Sequence, residues 1–136
     1  MQGVNAGEDE LRRIEGLEAY QILDTEDERP FNSIAELAAE LCQMPMAMIT
    51  LLDSNRQWFK AKVGLDLRET SREFSFCNYT IQSNEVLEVN DTLLDERFAS
   101  NPFVIGYPMV RFYAGAPLIT EHGCKLGTLC VVDPNP

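Results

Sequence analysis

Four cysteines and one histidine are the residues of this 136-residue chain whose types most directly suggest chemistry. None of the cysteines forms a C-x-x-C pair, the spacing expected of a zinc ribbon or a thioredoxin-type redox site. His122 lies near Cys124 and Cys130, but it falls in a predicted hairpin turn where no motif places a nucleophile beside it. We therefore predict no catalytic residue and no metal site. The cysteines are interpreted as small buried thiols in a reducing cytoplasm: Cys42, Cys77, Cys124 and Cys130.

The basic residues are unevenly distributed. Five of the 11 lysines and arginines lie between residues 54 and 72, where the acidic residues are Asp66 and Glu69, although the formal net charge of the chain is −11. Such a local excess of positive charge could attract an anionic ligand or an acidic partner helix. It could equally be a solvated strand edge, which is the default interpretation. The five residues are Arg56, Lys60, Lys62, Arg68 and Arg72.

Arg111 is a further candidate for binding an anionic ligand, because it stands between Val110 and Phe112 in a predicted strand. A half-buried guanidinium between apolar neighbours needs a carboxylate or an anionic ligand. A partner within the chain is the simpler interpretation: Asp91, Asp95 or Glu73.

The overall composition excludes several classes of function. Hydrophobic residues make up 45% of the chain, enough to form the packed core of one domain. The net charge repels nucleic acids and anionic lipids, and no apolar run approaches the ~20 residues of a membrane-spanning helix. The first residues also lack the basic and then apolar pattern of a signal peptide. We therefore expect a cytoplasmic protein that neither binds nucleic acid nor inserts into a membrane.

Two helices are predicted in the N-terminal third. Residues 1–8 have no apolar pattern and are expected to be a disordered lead-in, whereas apolar residues recur with helical spacing over 9–23. A second helix is predicted over 30–42, preceded by Thr25 and Glu28 at the spacing of a capping box. Its apolar residues form one continuous face: Phe31, Ile34, Ala35, Ala38, Leu41 and Cys42.

Five apolar segments predict strands. The segment 46–52 is nearly all apolar, as expected of a central strand that is covered on both faces. A turn leads to an edge strand over 56–63, in which Phe59, Ala61 and Val63 should face the core. The alternate positions should be half exposed: Trp58, Lys60 and Lys62. Further strands are predicted over 86–89, 110–119 and 126–132.

Short helical segments are predicted between these strands, over 76–81 and 94–98, and the pair Asn101 and Pro102 should close the second one. The order of elements predicts an α+β domain with a mostly antiparallel sheet. We expect the N-terminal helices to cover one face of the sheet and the loops of 64–109 to cover the other.

Several separated segments carry a resemblance to a known family. They are LLDSNRQWFK at 51–60 with VGL at 63–65, FC at 76–77, DERF at 95–98 with NP at 101–102, RFYAGAPL at 111–118, and LGTLCVVD at 126–133. In this order they are similar to a GAF domain. The lead-in EAYQILDT at 18–25 resembles the segment that precedes such domains in bacterial sensor proteins. The correspondence covers about residues 11–134.

The resemblance implies a single sensory or regulatory GAF domain over 9–136, with a PAS-like antiparallel sheet of about five strands in the order 2-1-5-4-3. In this branch the module is commonly joined, at the N-terminus of a longer protein, to a histidine kinase or diguanylate cyclase output domain. Relatives usually continue into a terminal helix that the sequence lacks, so we expect a truncation. We also expect a homodimer formed through the terminal helices, because an apolar surface left uncovered tends to associate.

The resemblance also bears on ligands. Bilin-binding relatives pair a cysteine with a histidine, but Cys77 is followed by Asn78, and the residue set of cyclic-nucleotide-binding relatives is not matched. The cofactor is therefore unassigned. We expect a small-molecule pocket with an apolar wall and a few polar groups. The candidate lining residues are Trp58, Phe76, Cys77, Tyr79, Arg111 and Tyr113, with simple core packing as the alternative for Phe76 and Phe112.

The leading hypothesis is a non-enzymatic signal-input domain that binds a small ligand or transmits dimer geometry to an output domain. A ligand-free dimerisation module is the first alternative. The remote alternative is a thiol enzyme of the free methionine sulfoxide reductase type, which would use three of the cysteines: Cys77, Cys124 and Cys130.

Overall fold

The first helix of this computed structural model begins close to the N-terminus. The backbone is described over residues 2–136 and the side chains from Asp9 onward. Of the lead-in predicted over 1–8, Met1 lies outside the described residues and the backbone of 2–8 belongs to the first helix. Helix α1 spans Gln2–Ala19 and ends before the predicted limit of the first helix at residue 23. It ends there because Gln21, two residues beyond Ala19, adopts a left-handed backbone conformation with φ of 51°.

Helix α2 spans Arg29–Cys42 and presents small residues to the protein interior. Its buried residues are Ala35 and Ala39, whereas Ile34 and Leu41 are 46% and 73% exposed. The predicted continuous apolar face is therefore wrong in part, because α2 has apolar residues on two sides and packs through the alanines. Cys42 is also exposed.

The start of α2 also differs from the expected capping box. Its N-cap residue is Glu28, and no side chain forms a cap hydrogen bond there. The Thr25 hydroxyl instead donates to the carbonyl oxygen of Ile22 at 2.5 Å. The predicted capping box does not form, because Thr25 belongs to the turn that ends the α1 segment.

The strands form one antiparallel sheet. They are β1 (Met46–Leu52), β2 (Arg56–Val63), β3 (Glu69–Ser71), β4 (Leu87–Val89), β5 (Phe112–Ile119) and β6 (Lys125–Asp133). The order across the sheet is β3-β2-β1-β6-β5-β4. Without the three-residue strand β3, this is the predicted order 2-1-5-4-3, so the α+β fold class is confirmed with one additional edge strand.

Two short helices follow on the other side of the sheet: α3 (Cys77–Thr80) and α4 (Pro102–Ile105). Asn101 caps α4, because its side-chain oxygen accepts a hydrogen bond from the backbone N–H of Phe103 at 2.8 Å. The prediction that Asn101 and Pro102 close a helical turn is therefore wrong: an asparagine cap followed by proline begins a helix.

A β-bulge in β2 decides which side chains face which side of the sheet. Ile49 pairs with Ala61 but Thr50 pairs with Phe59, so Lys60 is an extra residue. The alternation predicted for this strand therefore holds only in part: Phe59 faces the α3 side and Ala61 the α2 side. Lys60 is 1% exposed, not half exposed as predicted.

The two faces of the sheet carry separate clusters of apolar side chains. On the α1 side, Leu17 packs against Leu51, Trp58 and Leu126, while α2 packs against the centre of the sheet. On the α3 side lies the largest cluster, to which the segment 64–110 contributes several apolar side chains, including the fully buried Phe98. Helices on one face and the 64–109 segment on the other confirm the predicted layering. Within the described part of the chain, no helix has the length and apolar character to cross a membrane.

Candidate functional site

A small cavity lies between the sheet and the segment that covers its α3 side. Its volume is about 60 Å³, compared with roughly 30 Å³ for one water in the liquid and several hundred Å³ for a typical ligand site. The strands contribute one wall, made by Met48, Phe59, Tyr113, Cys130 and Val132. The opposite wall comes from the covering segment and includes Leu65, Leu67, Phe74, Phe76, Cys77, Phe103 and Pro108.

The cavity wall is apolar, with a polar patch at one end. Among the described residues that line it, none carries a charged side chain. The polar patch consists of Gln57, Thr70 and Ser75. The Ser75 hydroxyl donates to the Gln57 carbonyl oxygen at 2.7 Å, and the Gln57 amide donates to the Thr70 hydroxyl at 3.0 Å. Gln57 keeps a second amide N–H and Thr70 keeps its hydroxyl proton, so the patch could still donate hydrogen bonds to a ligand.

A chain of buried hydrogen bonds includes two of the cavity-lining residues, Cys77 and Tyr113. The hydroxyls of Thr50 and Thr128 are 2.9 Å apart, and the Cys77 thiol lies 3.0 Å from the Thr128 hydroxyl. The Tyr113 hydroxyl donates to the Cys77 sulfur at 3.4 Å and lies 2.7 Å from the hydroxyl of Thr80. All five side chains are buried, so the network joins α3 to β1, β5 and β6.

Gly115 makes space for this network. A Cβ atom at this position would lie 2.2 Å from the Tyr113 hydroxyl oxygen, far closer than atoms can approach. The Tyr113 ring therefore occupies the volume that any larger residue would fill. This explains why glycine stands within an otherwise apolar strand.

The environments of the two buried thiols shift their pKa values in opposite directions. Burial raises the pKa of Cys77, but the surrounding groups that stabilise its thiolate, first the Cys130 side chain and then the Thr128 hydroxyl, lower it overall to about 6. The pKa of Cys130 is raised well above its ordinary value, by its interaction with Cys77 and by burial. Burial also raises the pKa of Tyr113, which keeps its hydroxyl protonated as a donor.

Three of the six predicted pocket residues line the cavity: Phe76, Cys77 and Tyr113. Phe76 stacks on Phe98 with ring centroids 4.3 Å apart, so it has a core role as well as a lining one. Phe112 packs on the α2 side of the sheet, as its core interpretation predicts. The structure thus brings α3 and β5 together where the sequence places the pocket.

The other three predicted residues lie elsewhere. Trp58 packs against Leu17 on the opposite side of the sheet. Tyr79 is 42% exposed, because it is two residues from Cys77 on a helix and so points away from the cavity. The Arg111 guanidinium donates to the carbonyl oxygens of Val104 and Val110, at 2.8 and 3.3 Å, and these are its partners in place of the expected carboxylate.

The basic residues of 54–72 are mostly engaged within the chain. Arg56 forms ion pairs with Asp24, Asp53 and Glu69, and Lys60 pairs with Glu28. Arg72 pairs with Glu10 of α1. These three cations therefore join α1 and the connection between α1 and α2 to the β2–β3 edge of the sheet. Lys62 and Arg68 are the exposed members of the group.

A second, polar groove of about 580 Å³ separates α1 from the β5–β6 hairpin. Glu10 lies between two arginines there: it accepts from Arg13 at 2.9 Å and from Arg72 at 2.5 Å. Partial burial acts against ionisation, but the two guanidinium groups lower the pKa of Glu10 to about 2. The groove is lined by both acidic and basic side chains, so an anion bound there would compete with Glu10 for Arg13 and Arg72.

Sequence reasoning missed the threonines and the polar patch. Thr50 and Thr128 stand within nearly all-apolar strands, which is the signal that marks a buried polar pair. Gln57 and Ser75 gave no comparable signal, because both occur beside predicted turns. In the described residues, no three His, Cys, Asp or Glu side chains are grouped so that they could hold a metal ion.

Comparison with known proteins was made for sequence and for fold. A family model described as GAF domain matches residues 28–136. A cyclic di-GMP phosphodiesterase of Pseudomonas aeruginosa is 46% identical over 129 residues, which are 95% of this chain and 22% of that protein. The chain therefore spans about a fifth of the length of this relative.

Solved structures share the fold at low sequence identity. The GAF domain of a phosphoenolpyruvate-protein phosphotransferase from Coxiella burnetii has a TM-score of 0.64 at 14% identity, covering 92% of this chain and 77% of that one. The corresponding domain from Acinetobacter scores 0.62 at 17% identity, with coverage of 93% and 77%. A free methionine-R-sulfoxide reductase from Thermoplasma acidophilum scores 0.61 at 13% identity, with coverage of 76% and 72%.

Proposed function

We propose that this chain, which belongs to the GAF domain family, is the regulatory input module of a longer protein whose output domain hydrolyses cyclic di-GMP. The observation that carries the proposal is the 46% identity, over 95% of this chain, with part of a cyclic di-GMP phosphodiesterase. Among the output domains that accompany such modules, we therefore favour a phosphodiesterase over a kinase or a cyclase.

Regulation would work through the cavity on the α3 side. At about 60 Å³ it is too small for a metabolite, so binding requires the covering segment to move away from the sheet. A ligand that favours the opened arrangement would shift the population of the module toward it. We propose that this ligand is uncharged and mainly apolar, since no charged side chain among the described lining residues could pair with an ionised group.

The test of the regulatory role uses the full-length protein and a cavity-filling variant. Leu67 lines the cavity from a loop, so Leu67→Trp should occupy the space without a change to a strand. We expect this variant to change the rate of cyclic di-GMP hydrolysis by at least ~2-fold, about 0.4 kcal/mol. Leu94→Trp, at an 83% exposed position, is the control. Equal rates in both variants and the unaltered protein would contradict a regulatory cavity.

A thermal-shift panel of uncharged metabolites tests the ligand. A compound that binds only the folded domain must raise its melting temperature. At a ligand concentration of 100 times Kd, binding stabilises the folded state by about 2.7 kcal/mol. We expect the shift to disappear in Leu67→Trp. A shift produced by nucleotides or other anions, and retained in Leu67→Trp, would point away from the cavity.

The second candidate function is a ligand-free dimerisation module, and the exposed side of α2 favours it. Ile34, Leu37 and Leu41 are 46%, 55% and 73% exposed and recur at intervals of three and four residues, so they form one apolar stripe. In this alternative the cavity is simply a packing void, and the module transmits the geometry of a homodimer formed through its helices.

Sedimentation analysis of single variants distinguishes this alternative. Leu37→Glu and Leu41→Glu should convert a dimer into a monomer, because a charge on each copy would be buried at the interface. Leu94→Glu, at an 83% exposed position on a different element, should leave the dimer intact. A protein that is monomeric at every concentration would exclude the dimerisation role for the isolated chain.

We propose that the domain has no catalytic function of its own. His122 is exposed, and its nearest carboxylate, on Glu121, is 3.8 Å away, so it has no partner that would orient it as a base. The thiol-enzyme alternative is tested by an NADPH-coupled assay with free methionine sulfoxide. Turnover that is lost in Cys77→Ser would contradict the non-enzymatic assignment.

A further inference from the structure

The two buried cysteines on the cavity lie side by side. Cys77 is the first residue of α3, and Cys130 is in β6; they are 3% and 1% exposed and both line the cavity. The Cys77 sulfur contacts the hydroxyl of Thr128 at 3.0 Å. Thr128 and Cys130 are two residues apart on one strand and so project from the same face. This contact places the Cys77 thiol on the face of β6 that carries the Cys130 thiol, and the Cys130 side chain is the first of the groups that lower the pKa of Cys77, so the two thiols are neighbours.

The surroundings of the pair are suited to thiol oxidation by a small molecule. The cavity holds about 60 Å³, enough for a reagent the size of one or two waters, and the chain lines it with no competing charge among the described residues. Phe74 is both a lining residue and 41% exposed, so the cavity approaches the protein surface there. The Tyr113 hydroxyl, which donates to the Cys77 sulfur, stabilises a thiolate at that position and not at Cys130.

We propose that Cys77 and Cys130 are an oxidation site for hydroperoxides, which convert the two thiols into an intramolecular disulfide. This property is additional to the regulatory role and does not depend on the identity of an organic ligand.

The chemistry takes place in two steps. In the first, the Cys77 thiolate attacks one oxygen of the hydroperoxide: an S–O bond forms, the O–O bond breaks, and the leaving alkoxide or hydroxide takes a proton. In the second, the Cys130 sulfur attacks the sulfenic acid sulfur: an S–S bond forms, the S–O bond breaks, and water leaves with the Cys130 proton. In total two thiols lose two electrons and two protons, and one hydroperoxide becomes one alcohol, or water when it is hydrogen peroxide, and one further water.

Formation of the disulfide would change the hydrogen-bond network around Cys77. The Cys77 sulfur would exchange its contacts with Thr128 and Tyr113 for a covalent bond to β6. Since α3 begins at Cys77, the bond would fix this helix to the sheet and oppose the opening of the cavity. Oxidation therefore provides a second input at the site where the organic ligand is proposed to bind.

The test uses the chain with its other two cysteines replaced. Cys42→Ser with Cys124→Ser leaves the proposed pair and prevents disulfides through the exposed Cys42. After exposure to hydrogen peroxide, we expect the two thiols titratable in denaturant to fall to none, and peptide mapping to find Cys77 linked to Cys130. In the unaltered chain, alkylation of Cys42 at each peroxide concentration supplies the internal reference for an exposed thiol.

Two further variants separate the roles of the thiols. In Cys130→Ala the oxidised Cys77 has no partner, so a dimedone adduct should accumulate at Cys77. In Cys77→Ala we expect no adduct at Cys130. The proposal is overturned if both thiols survive peroxide that oxidises Cys42, if they are converted to sulfinic acids without a link, or if Cys130 is trapped instead of Cys77. Should a variant fail to fold by circular dichroism, peptide mapping of the unaltered chain decides the outcome.

Discussion

At the scale of single residues, the buried ammonium group of Lys60 is the most consequential feature outside the cavity. It donates to the Thr25 hydroxyl at 2.6 Å, to the Glu26 carbonyl oxygen at 2.7 Å and to the Glu28 carboxylate at 2.6 Å. All three acceptors belong to the segment between α1 and α2, so one side chain of β2 fixes the path of that connection. The bulge at Lys60 is what turns the side chain toward this segment.

Replacement of Lys60 by methionine tests this role, because it keeps the aliphatic stem and removes the donor. We expect Lys60→Met to lower the free energy of unfolding by about 1–3 kcal/mol, the usual range for a hydrogen-bonded charged group. Lys62→Met is the matched control, since Lys62 is exposed on the same strand, and should change it by less than about 0.5 kcal/mol. Urea denaturation of both variants measures the difference. Equal changes in the free energy of unfolding of the two variants would mean that Lys60 stabilises the fold only through the packing of its aliphatic stem.

At the scale of elements, α1 is attached to the domain at several places, two of which involve Leu17 and Glu10. Leu17, which is fully buried, packs against Trp58 and Leu126. Glu10 forms the second attachment through its ion pair with Arg72 in the segment that follows β3. The same segment leads into α3, so the ion pair links the N-terminal helix to the covering side of the cavity. Trp58 is the single tryptophan of the chain, and its fluorescence therefore reports on the packing of α1.

The attachment through Glu10 should weaken in acid. Its folded-state pKa of about 2 lies below the ordinary value of 4.5, so its stabilisation is complete above pH 4.5 and is lost as the pH falls toward 2. Glu10→Gln should therefore be less stable than the unaltered chain at pH 7, and the difference should shrink as the pH falls below 4.5. Urea unfolding followed by Trp58 fluorescence measures it. Glu15→Gln, at an exposed position on α1, should show no such convergence.

At the scale of the whole molecule, the sheet has a centre and two unequal edges. Strands β1 and β6 pair with each other and with a neighbour on either side, and most of their residues are buried. Strand β3, by contrast, has three residues, none of them buried. Stability against local opening should therefore decrease from the centre of the sheet to the β3 edge.

Amide hydrogen exchange measures this gradient directly. We expect amides of β1 and β6 to exchange at least ~100-fold more slowly than those of β3, since central strands open only with most of the domain. Strand β4, at the other edge, should be intermediate because Val89 is buried. Protection of β3 as strong as that of β1 would show that the described edge is covered by something else in solution.

Most strand limits are predictable from the residues, because continuous apolar runs such as 46–52 have few other structural solutions. The sheet order is predictable only through the family resemblance, because apolar runs do not fix which strands pair. The orientation of Trp58 is not predictable, because one extra residue in β2 changes the face of its neighbours without a mark in the alternation. The buried side of α2 is equally hidden, since Ile34 and Ala35 are both apolar and only packing against Ala61 selects the alanine. Cys77 and Tyr113 line the cavity, and the resemblance is what places them in one covering segment and one strand.

The cavity and the outer surface of α2 lie on opposite sides of a single sheet, and this has a mechanical consequence. Met48 and Cys130 face the cavity as cross-strand partners. The adjoining pair, Ala47 and Val131, faces the other side of the sheet and packs against Ala39 of α2. The two surfaces are thus one residue apart along the same two backbones, about 3.3 Å. An enlargement of the cavity that also shifts β1 and β6 would therefore displace the surface on which α2 packs directly, without a lever or hinge between them.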